Sequence, residues 1–153
     1  MPTASRREKI LDNIEERLKF IRQVDGYFNT VEAGNIQRVL GIPTNITEFP
    51  ALFIIAGPED AEDTPTGYVT SRFLVGISAW IKGTLETLPQ AIENILSDIK
   101  KLMQVDTTRG GNAIDTSYTG VGQPTLNEIT APVGFIDISF TVTYRTLRED
   151  PSQ

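Results

Sequence analysis

Four carboxylates crowd into five positions of this chain: Glu59, Asp60, Glu62 and Asp63. Acids at this density can ligate Ca²⁺ through oxygen or present a negatively charged surface. Their spacing departs from the EF-hand ligand pattern. The segment that carries them, Pro58 to Gly67 (PEDAEDTPTG), reads as a solvated hairpin loop whose charge favours solubility. Arg109-Gly110-Gly111 invites an anion-binding reading, because glycine-rich backbone can cradle phosphate. No G-x-x-x-x-G-K-[ST] motif is present and no helix start follows, so residues 104–112 read as a flexible turn. Asp137 is the one acid inside the two long period-two strands, but its parity places it on a polar face. A carboxylate raised for acid/base work needs a close second acid or an apolar surround.

The chain has no His and no Cys. The commonest general base, the commonest metal ligand and all thiolate chemistry are thereby removed. Ser-His-Asp, Cys-His and HExxH mechanisms are excluded. The sequence names no reaction, no catalytic residue, no metal and no cofactor.

The bounds are those of a single domain: 153 residues, 39% hydrophobic and 22% charged. A net charge of −6 and a pI near 4.7 make phosphate wrapping a poor fit. The N-terminus is polar and helix-like, so no signal peptide is expected. No apolar run approaches about 18 residues, so no membrane span is expected.

The organising stretch is Gly67 to Lys82, GYVTSRFLVGISAWIK. Val69, Phe73, Val75, Ile77, Ala79 and Ile81 share one parity, the period of a half-buried strand. At ~3.3 Å per residue it would span roughly 50 Å, long enough for a hairpin to project from the body. Gly134 to Leu147 matches it, with Ile136, Ile138, Phe140, Val142 and Tyr144 on one face and Asp137, Ser139, Thr141, Thr143 and Arg145 on the other. Two matched strands imply central antiparallel pairing. Shorter strands are expected at Asn35–Leu40, Ala51–Ala56, Ala113–Val121 and Pro124–Thr130.

Two amphipathic helices complete the pattern. The first, expected over residues 5–25, opens on a Ser5/Glu8 capping box, carries Leu11, Ile14, Leu18, Ile21 and Val24 on one stripe, and stops at Gly26. The second, expected over 88–103, opens on Thr87 and Gln90 with Pro89 in its first turn. Its face is Leu88, Ala91, Ile92, Ile95, Leu96, Ile99, Leu102 and Met103. The fold class is therefore α+β: a mostly antiparallel sheet with long central strands and both helices on one face. Tyr68 and Trp80 share the mixed parity of the long strand and are candidate interface aromatics, with packing at the sheet rim as the competing role.

The order of elements resembles the tail terminator, or tail completion, proteins of long-tailed bacteriophages over nearly the whole chain. The resemblance rests on the N-terminal helix and short strand, then Phe49-Pro50-Ala51-Leu52, the acidic segment and a long strand ending Ala79-Trp80-Ile81-Lys82. The helix Leu88 to Met103, a Gly-containing loop and a last strand ending Val142-Thr143-Tyr144-Arg145 complete it. It implies a homohexameric ring at the head-proximal end of the tail tube, assembled in the host cytoplasm, that ends tube polymerisation and offers a docking surface to a head-completion or connector protein. It implies no enzymatic activity, no cofactor, no membrane, and DNA passing through without specific binding. Glu59, Asp60, Glu62 and Asp63 would then line the bore or a subunit contact. Rival readings are another neck or tube protein of the virion, a small α+β ligand-binding domain, and a generic interaction module.

Overall fold

A computed structural model describes residues 2–41, 43, 46–127 and 132–153. In chain order its elements are α1 (Arg6–Leu18), β1 (Ile36–Val39), β2 (Ala51–Asp63), β3 (Tyr68–Lys82), α2 (Leu88–Val105), β4 (Asp115–Val121), β5 (Thr125–Asn127) and β6 (Val133–Leu147). Single 3-10 turns lie at Gln23–Asp25 and Ala33–Asn35. The fold is α+β, with both helices on one face of a sheet ordered β1-β2-β3-β6-β4, and β5 also pairing with β6.

The two period-two stretches pair along their whole length, antiparallel, from Tyr68 opposite Leu147 to Lys82 opposite Val133. The register puts Phe73 opposite Val142, Val75 opposite Phe140 and Ile77 opposite Ile138. All six of these side chains are fully buried under the helices. A one-residue slip would turn this row to the far face, so the apolar parity fixes the register. β1 is the exception to antiparallel pairing, running parallel to β2 with Ile36 opposite Leu52. Gly134 lets α2 sit close, since a Cβ there would lie 2.8 Å from Ile92 Cδ1. The second half of the expected strand at 124–130 lies outside the described residues.

α1 starts as the sequence dictates, with Glu8 N–H donating to Ser5 Oγ at 3.1 Å. The Glu8 carboxylate does not close the box; it takes Arg38 of β1 at 2.6 Å. The helix does not reach residue 25. Phe20 and Ile21 N–H tighten onto the carbonyls of Arg17 and Leu18, and Val31 N–H takes the Ile21 carbonyl at 3.0 Å. With that acceptor used by a returning chain, the helical ladder cannot continue past it. Ile21 stays in the core, whereas Val24, assigned to the stripe by spacing, is 87% exposed. Gly26, at φ +88, caps the 3-10 turn rather than α1. For α2 the N-cap is Thr87, as expected, but its hydroxyl does not make the expected bond into the helix. Thr84 and Thr87 exchange bonds, each Oγ1 accepting the other's N–H at 2.9 and 3.2 Å, while Gln90 turns to Asn94.

The hairpin back to β1 is held by a carboxylate that spacing did not reveal. Asp98, on the inner side of α2 and 2% exposed, accepts from Phe28 N–H at 2.8 Å and from Asn29 N–H and Nδ2 at 2.9 Å. Removing it orphans two part-buried backbone donors. Asp98→Ala should therefore cost about 2 kcal/mol in urea unfolding, with the largest rise in hydrogen exchange at Phe28 and Asn29.

The segment 106–112 is ordered by its own chemistry. Arg109, Gly110 and Gly111 all take positive φ, at 50°, 67° and 85°. Arg109 was expected in a flexible turn; instead its side chain is fully buried and donates to the Met103 carbonyl at 2.6 Å and to the Asp106 carbonyl. Burial raises the Asp106 carboxyl, but Gly110 N–H, the Thr108 hydroxyl and the charges of Arg109 and Arg17 outweigh it and hold it below its ordinary value.

Candidate functional site

β2 does not end at Gly57-Pro58. The chain absorbs the pair as a bulge between Ala56 and Glu59, then resumes pairing, Glu59 opposite Phe73 through Asp63 opposite Val69. Gly57 is required there, because a Cβ would lie 2.7 Å from the Leu74 carbonyl oxygen. The expected loop at 58–67 is thus mostly strand, and the turn is only Thr64 to Gly67, with Gly67 at φ +83. β2, β3 and β6 together make a three-stranded arm.

Strand geometry divides the acidic group two and two. Glu59 and Asp63 lie opposite Phe73 and Val69, on the helix side; Asp60 and Glu62 lie opposite Arg72 and Thr70, on the far side. The helix-side pair is partnered. Glu59 takes Arg7 at 3.3 Å and Asp63 takes Arg148 at 3.0 Å. Asp60 and Glu62 form no ion pair among the described residues. No group of three or more acids close enough to hold a metal ion occurs among the described residues.

At the arm's base Glu59 closes a polar knot. It accepts the Tyr144 hydroxyl at 2.5 Å as well as Arg7. Arg7 also donates to the Gly57 carbonyl at 3.1 Å and lies 3.8 Å above the Phe73 ring. The knot ties α1, the bulge, β3 and β6 where the apolar core ends. No sequence periodicity reports it, because the partners lie 52 and 85 positions apart.

Burial, reinforced by the Glu59 carboxylate, pushes the Tyr144 hydroxyl up to about 12 from 10.0. The folded state therefore holds this proton more firmly than the unfolded chain. The resulting stability is complete below the unfolded value and is lost as pH rises through the window from 10 to about 12. Tyr144→Phe should remove that dependence. The stability gap between wild type and Y144F, from urea titrations at stepped pH, should be widest below that window and close within it.

The two candidate aromatics sit at opposite ends of β3, twelve residues and roughly 40 Å apart at ~3.3 Å per residue. Tyr68 is exposed at the arm's tip with the Arg145 guanidinium 5.9 Å from its ring. Trp80 is 6% exposed and stacks on Phe135 at 4.4 Å, its indole N–H donating to Ser78 Oγ at 2.9 Å. It belongs to a small second core on the far face, with Ala51 and Phe53 beneath Val39, Ile46 and Phe49. Beside that core the far face is open among the described residues. Ile55, Leu74, Gly76, Trp80 and Phe135 line a concavity of about 440 Å³. Asp137 borders it and is exposed.

The sequence model described as "Bacteriophage Tail Tube Terminator Protein" matches residues 3–150. The chain belongs to that family. As a tail tube terminator it is a structural protein of the phage tail, associated with the tail tube in the virion. No curated protein matches the chain. No helix among the terminator's described residues is long and apolar enough to cross a membrane.

Proposed function

We propose that this terminator assembles as a homohexameric ring on the head-proximal end of the tail tube, stops tube polymerisation there and offers its opposite surface to a head-completion or connector protein. In this reading the whole chain, 1–153, works as one tail-terminator-like domain, carries out no catalysis and needs no cofactor. Assembly takes place in the host cytoplasm, and DNA passes through the ring without specific binding. The observation that carries the reading is the family match across residues 3–150. The arm gives it physical support, because Asp60, Glu62, Tyr68, Arg72 and Arg145 stand on an uncovered strand face.

The test is light scattering with negative-stain imaging, alone and with purified tail tubes. Closed six-subunit rings, or caps that halt tube growth, are expected. Open-ended filaments of this protein alone would instead make it a tube component. The acids supply a finer prediction. Six chains carrying −6 each form an acidic ring, and a negative bore repels DNA and lets it slide. Neutralising Glu59, Asp60, Glu62 and Asp63 together to their amides should weaken ring closure or slow DNA passage. Unchanged assembly and unchanged passage would remove these residues from both roles.

A further inference from the structure

We infer that the subunit contact of the proposed ring, on which this inference rests, is a strand pairing: the outer edge of β4 receives the arm of β2 from a second copy. β4 ends the sheet, and no strand pairs with its outer side among the described residues. Thr143 and Asp137 of β6 turn their carbonyls toward β4, accepting Ile114 and Gly122 N–H at 2.7 and 2.8 Å, so Asp115 opposite Thr143 and Ser117 opposite Thr141 turn their N–H groups inward, and Thr116 and Tyr118 turn theirs outward. Open edges are normally guarded by Lys, Pro or inward charge. From Thr116 to Val121 this edge, TSYTGV, has none. It also leaves Ile114, Tyr118 and Val121 exposed at 53%, 40% and 43%.

The other side of the sheet holds the complement. Among the described residues β1 covers β2 only from Leu52 to Ile55, so the arm segment Glu59–Asp63 offers a second edge without a strand partner. A head-to-tail ring needs two different surfaces on each subunit, and these edges stand on opposite sides of one sheet. Their charges match by face. Lys100 lies 4.5 Å over the Tyr118 ring on the helix side and has no ion pair among the described residues. In a continuous sheet it falls on the same side as Glu59 and Asp63 of the neighbour. Strand addition of this kind draws its affinity from main-chain hydrogen bonds.

Ser117→Lys tests this directly, because it places a charged guard on the edge and leaves every backbone N–H of the inward ladder to β6 in place. It should raise the concentration needed for ring closure at least tenfold, with circular dichroism and thermal midpoint near wild type. Because the chain has no native Cys, S117C combined with E62C or D60C should cross-link subunits into a ladder ending at six. If wild type forms rings but S117K forms them equally well and neither cysteine pair cross-links, the edge contact is wrong and the ring stands. If wild type forms no ring with or without tubes, the ring reading falls and the contact with it. Should S117K fail to fold, the cross-linking ladder decides.

Discussion

Phe140→Ala should lower stability by about 3–5 kcal/mol, the range for truncating a fully buried aromatic. Phe140 has no exposed surface, lies opposite Val75 across the central strand pair, and meets the Tyr118 ring edge-on at 5.8 Å. Its deletion removes transfer free energy and leaves a void under α2 that the two long strands cannot close without losing register. Because the domain's total stability is expected to be only about 5–15 kcal/mol, this one change is a large share of it. Urea titration should show a lower midpoint with unchanged slope, and F140L should recover most of the loss. A loss below about 1 kcal/mol would mean that the centre of the sheet repacks freely.

Arg109→Ala is expected to cost about 2–4 kcal/mol, from two orphaned carbonyls and the space left by a buried guanidinium. The side chain caps the end of α2 by donating to Met103 and Asp106 carbonyls, two of the acceptors a helix terminus leaves without internal partners. Burial lowers the guanidinium pKa, with Asp106 opposing the shift and Arg17 adding to it. Arg109→Met fills the volume without donors and should fall between wild type and R109A in urea unfolding. R109M as stable as wild type would show that the capping bonds contribute nothing net, as when a buried charge is replaced by an apolar isostere.

Much of the fold was legible because the relevant signals are local. The parity of Val69 to Ile81 and of Ile136 to Tyr144 gave both central strands, their antiparallel pairing and the face that meets the helices. The α2 stripe placed Ile92, Ile95, Ile99 and Met103 in the core, all buried. The family followed from the same order of elements, confirmed across residues 3–150.

The site was less legible. Gly57-Pro58 is a sound breaker signal by local rules, yet pairing with β3 on one side outweighs it, and beyond the bulge five residues of the expected loop pair with β3. That decision sends Glu59 and Asp63 to Arg7 and Arg148 and leaves Asp60 and Glu62 on the other face. The end of α1 was settled by Val31, ten positions beyond Ile21, taking a carbonyl that the helix would otherwise use. Trp80 reads as an interface aromatic by parity and is buried because residues 46–53 fold over it. The sequence by itself determined the elements, their faces and the family, since side-chain period and capping act within a few residues. Only the tertiary structure decided where α1 stops, which acids are partnered and which sheet edges stay open, because each depends on a hydrogen bond or contact between residues that nothing local brings together.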